Sequence, residues 1–209
     1  MNKQNFPERK YTSGSDFAAS YQRRFNEIAS GTNSSMVDVV ADLILKTIKA
    51  GGTIYVCGNG GSAAIANHIT CDYAKSLSLS LDCPVKVISL CTFTELNLAI
   101  ANDISFDEVF AFQVRQNATA KDILWAISSS GKSLNIVKAL NTAREKGMQT
   151  IAFTAFDGGL SRKIASYCLH APVNNYGIAE DIHHMYAHII YQYIRQQHMI
   201  EEDIASVIF

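Results

Sequence analysis

Two short loops and two helical stretches hold the side chains of this sequence that could do chemistry. The first loop, Gly58-Asn59-Gly60-Gly61-Ser62, follows the apolar run Thr53-Ile54-Tyr55-Val56-Cys57 and precedes Ala63-Ala64-Ile65-Ala66-Asn67-His68. A glycine-rich turn between a strand and a helix leaves backbone N–H groups free at the helix N-terminus, where an anionic or polyhydroxyl ligand can approach closely. A tight turn whose glycines serve geometry alone has the same pattern, so this loop does not decide by itself. A second loop, Ser128-Ser129-Ser130-Gly131-Lys132-Ser133, lies after the apolar run Ile123 to Ile127 and before another helical pattern. Its four hydroxyls and its N–H groups at a helix start suit a phosphate monoester, which takes several donors and gains from the helix dipole. The stretch does not read as a nucleotide P-loop, which makes ATP a poor ligand. A serine-rich turn capped by Ser133 is the plainer alternative.

The helical stretches carry acid–base groups. His68 and Asp72 are four apart after the glycine loop and share a helix face. The last long helical pattern carries Glu180, His183, His184 and His188. Eight residues turn about 800°, so Glu180 and His188 are about 80° apart and within reach of one site. Glu180 also pairs by spacing with His183 and with His184. Two imidazoles and two carboxylates suit zinc or another divalent transition ion. His68 as a surface histidine, and Asp72 paired with Lys75, are the ordinary readings of the same residues.

Elements to position these groups are legible in the periodicity. Phe17, Tyr21, Phe25 and Ile28 define a first helix over 16–28. A second, capped by Asn33-Ser34-Ser35, runs to Ala50 with Met36, Val39, Val40, Leu43, Ile44 and Ile48 facing inward, and Gly51-Gly52 ends it. Apolar runs at 53–57, 85–90, 123–127, 150–153 and 167–171 then alternate with helical patterns at 63–77, 93–101, 106–118, 134–146, 160–165 and 178–198. Near-continuous apolar strands between helices predict an α/β three-layer sandwich around a five-stranded parallel sheet. Both loops fall at carboxyl ends of strands, where such sheets bind ligands.

The chain has 209 residues, room for one domain with a sizeable core. Residues 1–13 lack periodicity and read as a loose N-terminus; 14–209 read as one domain, with 14–50 a helical extension. A net charge of −1 with no basic block argues against charge-driven nucleic-acid binding. Five scattered cysteines with no CxxC pair read as reduced thiols in a cytoplasmic protein. Met1 to Arg9 do not resemble a signal peptide, and no apolar run approaches a membrane span.

In order and spacing, Gly58-Asn59-Gly60-Gly61-Ser62, Ala101-Asn102-Asp103 and Ile127-Ser128-Ser129-Ser130-Gly131-Lys132-Ser133 resemble the sugar isomerase (SIS) domain family. The segments 106–110 and 143–148 are also similar, and the resemblance covers roughly 16–196. Within the family the chain is most similar to the phosphoheptose isomerases. These convert sedoheptulose 7-phosphate to glycero-manno-heptose 7-phosphate for bacterial surface polysaccharide.

The resemblance implies a flavodoxin-like sheet order and a homotetramer with the N-terminal helices in a central bundle. It implies that Ser128, Ser129, Ser130 and Ser133 hold the phosphate, and that Asn59, Gly60, Gly61, Ser62, Asn102, Asp103 and Glu180 hold the sugar. It selects His188 among the late histidines, and makes His68, Asp72, Glu180 and His188 the zinc ligands, with Asp72 and His188 moving the protons. The family carries Glu where this chain has Asp72, and Gln where it has Glu180. Asp is one methylene shorter, which sets a base back by about 1 Å. The resemblance leaves two other functions open: a non-catalytic protein that binds the replication initiator, and a sugar-phosphate-binding regulator.

Overall fold

The structure is a computed structural model describing residues 5–207 and residue 209. Five parallel strands form one sheet: β1 (Thr53–Gly58), β2 (Lys86–Ser89), β3 (Ile123–Ser128), β4 (Gln149–Ala155) and β5 (Tyr167–Ala171). Their order is β2-β1-β3-β4-β5, the flavodoxin-like order. The chain leaves β1 toward one edge and returns at β3 toward the other. Cys57 pairs with Ala126 and Gly58 with Ile127, so the loops after β1 and β3 leave the sheet side by side. A crevice at the strands' carboxyl ends is the geometric result of that reversal.

Strand residues alternate between two cores. Ile54, Val56, Trp125, Ile127, Ile151 and Phe153 face a cluster covered by α1 (Gly14–Gly31), α2 (Met36–Lys49), α3 (Gly61–Cys71) and, later in the chain, α9 (Tyr176–Gln196). Tyr55, Cys57, Leu124 and Ala126 face the other cluster. That face is covered by α5 (Thr94–Asp103), α6 (Val109–Asn117) and α7 (Leu134–Glu145). Two short helices, α4 (Ser78–Ser80) and α8 (Gly159–Ile164), fill connections, and α10 (Glu201–Ile204) follows α9.

Two local features depart from the periodic pattern. The helix expected over 63–77 changes hydrogen bonding after Cys71 and continues as a π-helix over Asp72–Leu77. Within it Tyr73 is buried, and its hydroxyl donates to the Ala187 carbonyl of α9 at 2.9 Å. That bond pins the turn carrying Asp72 beside the turn carrying His188. Asn33 shapes the start of α2 by accepting from the Ser35 N–H and hydroxyl, while Ser35 itself makes no capping bond.

Residues 1–4 of the N-terminal stretch lie outside the described residues. From residue 5 onward the stretch is anchored. Phe6 is buried against Phe17 and Tyr21, with ring centroids 5.3 and 5.6 Å away, and its carbonyl accepts from Asn175 Nδ2 at 3.0 Å.

Candidate active site

The crevice holds a cavity of about 280 Å³. It is lined by the glycine loop, by Ser128, Ser129, Ser130 and Ser133, and by Tyr176 and Glu180 of α9. Gly60 sits at φ 54° as the residue before α3, in the left-handed half of backbone space that glycine occupies without strain. At Gly61 the reason for glycine is contact rather than conformation. A Cβ there would lie 2.2 Å from Glu180 Oε2, so α9 presents its carboxylate directly against the start of α3.

The serine loop has spare hydrogen-bonding capacity. The Ser128 and Ser130 hydroxyls accept from Gly131 N and Lys132 N, both at 3.2 Å, and each keeps its own O–H to donate. The Ser129 hydroxyl is buried without a partner. Ser133 precedes α7 but makes no capping bond, so its hydroxyl is not spent on the helix as the plainer reading expects. Gly131, at φ 63°, closes the loop against Gly158, whose carbonyl oxygen would be 1.9 Å from any Cβ. Lys132 turns outward to Asp157 at 2.7 Å.

Two expected sugar contacts are placed differently from the rest. Asn102 and Asp103 end α5, bonded to each other at 2.8 Å, and do not line the cavity. Asn59 does line it, yet its amide is paired in both directions with Asn135 of α7, at 2.9 and 2.8 Å. That amide pair ties the glycine loop to the helix that follows the serine loop. Sequence reasoning missed Asn135. It also missed Tyr176, whose ring meets Phe156 edge-on at 4.8 Å and walls the cavity.

His68 of α3 and His188 of α9 meet across 120 residues, their Nε2 atoms 2.9 Å apart. Asp72 Oδ2 is 3.1 Å from His68 Nε2 and 3.5 Å from His188 Nε2. His184 completes the group: its ring centroid is 4.5 Å from those of both His68 and His188. One nitrogen from each of the three imidazoles lies within 4.8 Å of the others, so this trio could hold a metal ion. Two donors bound to one tetrahedral zinc at about 2.0–2.1 Å are themselves about 3.3 Å apart, and the His68 and His188 Nε2 atoms, 2.9 Å apart, are near that spacing. His184 Nε2 is buried with no hydrogen-bond partner, as a nitrogen reserved for a cation would be.

Burial, then the neighbouring His188 and His68, lowers the pKa of His184 and favours the neutral ring that binds metal. Glu180 lies one turn before His184, at the cavity wall. Burial, and secondarily Asp181, raises its pKa. The signal for His184 was present in the sequence: residues 180, 184 and 188 fall on one helix face, each step advancing about 40°.

Comparison with known proteins places the fold and the sequence among relatives of known family. An SIS domain model matches residues 16–155. A phosphoheptose isomerase of Synechocystis sp. is 33% identical over 175 residues, covering 82% of this chain and 90% of that protein. One from Chlorobaculum parvum is 37% identical over 153 residues, 73% of each chain. The solved phosphoheptose isomerase of Neisseria gonorrhoeae superposes with a TM-score of 0.80 at 30% identity, covering 87% of this chain and 98% of that one. On its fold, its loops and these relatives, the chain belongs to the sugar isomerase (SIS) domain family.

Proposed function

We propose that this protein is an aldose–ketose isomerase acting on sedoheptulose 7-phosphate, giving D-glycero-D-manno-heptose 7-phosphate. The observation that carries the proposal is continuity. The serine loop and Glu180 line one cavity, Glu180 shares α9 with the His188 that lies 3.5 Å from Asp72, and a relative 37% identical over 73% of this chain is a phosphoheptose isomerase. The phosphate is held by the hydroxyls and N–H groups of Ser128, Ser129, Ser130 and Ser133, where the dipole of α7 adds attraction. Asn59, Gly60, Gly61, Ser62 and Glu180 face the sugar hydroxyls. Asp72 removes the proton from the carbon next to the carbonyl, leaving an enediol. His188 moves a proton from one oxygen to the other while Asp72 returns its proton to the former carbonyl carbon, so the carbonyl ends on the neighbouring carbon.

The resemblance assigns a zinc ion to His68, Asp72, Glu180 and His188; when bound, it would polarise the substrate carbonyl as a Lewis acid. The protein works in the cytoplasm as a homotetramer. Phe17 of α1 and Val39 of α2 are exposed apolar residues that such an assembly would cover. Among the described residues no helix is long and apolar enough to cross a membrane.

The test is turnover of sedoheptulose 7-phosphate by the wild type and by His188→Ala and Asp72→Asn. Activity in the wild type, lost in both variants, is expected. A folded wild type without isomerase activity overturns the proposal, and full activity in His188→Ala moves the proton relay elsewhere.

A further inference from the structure

We propose that His184 is a metal ligand, and that this chain builds a three-imidazole centre from His68, His184 and His188 while Glu180 serves the sugar cavity. The inference rests on the isomerase reading only for the location of the site. Three observations lead to it. The three rings are mutually packed, with centroids 4.5, 4.5 and 5.0 Å apart, and none of them belongs to either apolar cluster. Two Nε2 atoms face each other at 2.9 Å, and the buried His184 Nε2 has no partner. A shared divalent ion would engage all three sets of lone pairs, whereas direct hydrogen bonding between rings satisfies only one pair. Glu180, by contrast, faces Gly61 across the cavity wall.

The consequence is a division of labour. A carboxylate bound to a cation is a weaker base, because its lone pairs are engaged. With three imidazoles holding the ion, Asp72 stays free at the edge of the trio to take a proton. Three neutral imidazoles also leave the ion its full charge, which offsets the Glu180 carboxylate near the same cavity. Imidazole donors suit zinc, nickel, copper and cobalt rather than magnesium or calcium.

The experiment reads binding without turnover. Metal-free full-length protein is titrated with Zn²⁺ and Co²⁺ by calorimetry, for the wild type, His184→Leu and Glu180→Gln. X-ray absorption of the zinc-loaded wild type counts its imidazole ligands. His184→Leu is expected to lower affinity by about a hundredfold or more, since even residues that only support a ligand contribute about 10–100-fold. Glu180→Gln is expected to stay within about threefold of the wild type, below that range. The absorption spectrum is expected to show three imidazoles. Two imidazoles, or an intact affinity in His184→Leu with a loss in Glu180→Gln, would overturn the proposal, as would a wild type that binds neither ion. If His184→Leu does not fold, the absorption count alone decides. A three-imidazole centre in a protein that fails to isomerise the sugar would sink the isomerase reading and leave this one standing.

Discussion

Replacing Gly61 by alanine separates the architecture of the cavity from its chemistry. The new Cβ would sit 2.2 Å from Glu180 Oε2, 2.5 Å from its Cδ and 2.6 Å from Oε1. Unstrained contact needs about 3.5 Å, so the carboxylate must retreat by more than about 1 Å. It is the far end of a flexible side chain, and a displaced rotamer costs about 0.5–1.5 kcal/mol. Alanine in place of glycine in a helix returns about 0.5–1 kcal/mol. The folded state should therefore change by less than about 1 kcal/mol in a denaturant titration. Catalysis should change far more. A charged hydrogen bond from a sugar hydroxyl to Glu180 is worth about 1.5–3 kcal/mol, or about 10–150-fold in kcat/KM. Adding Gly61→Ala to Glu180→Ala should then cost nothing further, because both changes remove one contact. Gly58→Ala is the contrast: its Cβ would meet the Ser62 carbonyl oxygen at 2.5 Å and carbon at 2.6 Å, helix backbone that cannot yield. That variant should lose about 1–3 kcal/mol of stability. Strictly additive losses for Gly61→Ala and Glu180→Ala, or full kcat/KM in Gly61→Ala, would refute the placement of Glu180 against the sugar.

Ser130→Ala and Ser133→Ala should each weaken binding of the sugar phosphate by about 1–3 kcal/mol in calorimetry, and unchanged affinity in both would remove the serine loop from the site. Light scattering should return the mass of four chains; a mass near one chain would sink the assembly proposed for α1 and α2. Burial pushes the pKa of His183 down from 6.5 to about 4. The unfolded chain therefore takes the proton first: the stability linked to this ring is full above about pH 6.5 and is lost as pH falls toward 4. The loss is about 3 kcal/mol, and His183→Leu should flatten that part of the acid limb relative to wild type. Parallel acid limbs in urea titrations of the two proteins would show that His183 charges without opening the fold.

What was legible in the sequence follows from the range of the forces involved. The five strands lie within two residues of their apolar runs because a sheet buried on both faces needs an unbroken apolar segment, and burial is a local demand on composition. The loops were legible for the same reason, since glycine and serine clusters interrupt those runs. The order of the strands, and the meeting of His68 with His188, rested on resemblance, because periodicity specifies a face of a helix but not what the face meets. Where it failed, the partner was distant. Asn135 reads as an ordinary helix residue until its amide is seen against Asn59, 76 positions earlier. Phe6 sits in an aperiodic stretch and is buried only because Phe17, Tyr21 and Asn175 converge on it. The π-helix after Cys71 did leave a trace: Ile65, Ile69, Tyr73 and Leu77 are all buried and each four apart, a period wider than the 3.6 of an α-helix. The wider turn coincides with Asp72, and such turns recur at functional sites. Asp72 is shorter than the glutamate its family carries, so its reach depends on the backbone that carries it. The π turn, held to α9 by the Tyr73 hydroxyl, is where that backbone is set. Tyr73→Phe should therefore slow isomerisation while leaving substrate affinity intact, and an equal rate would place the control of Asp72 elsewhere.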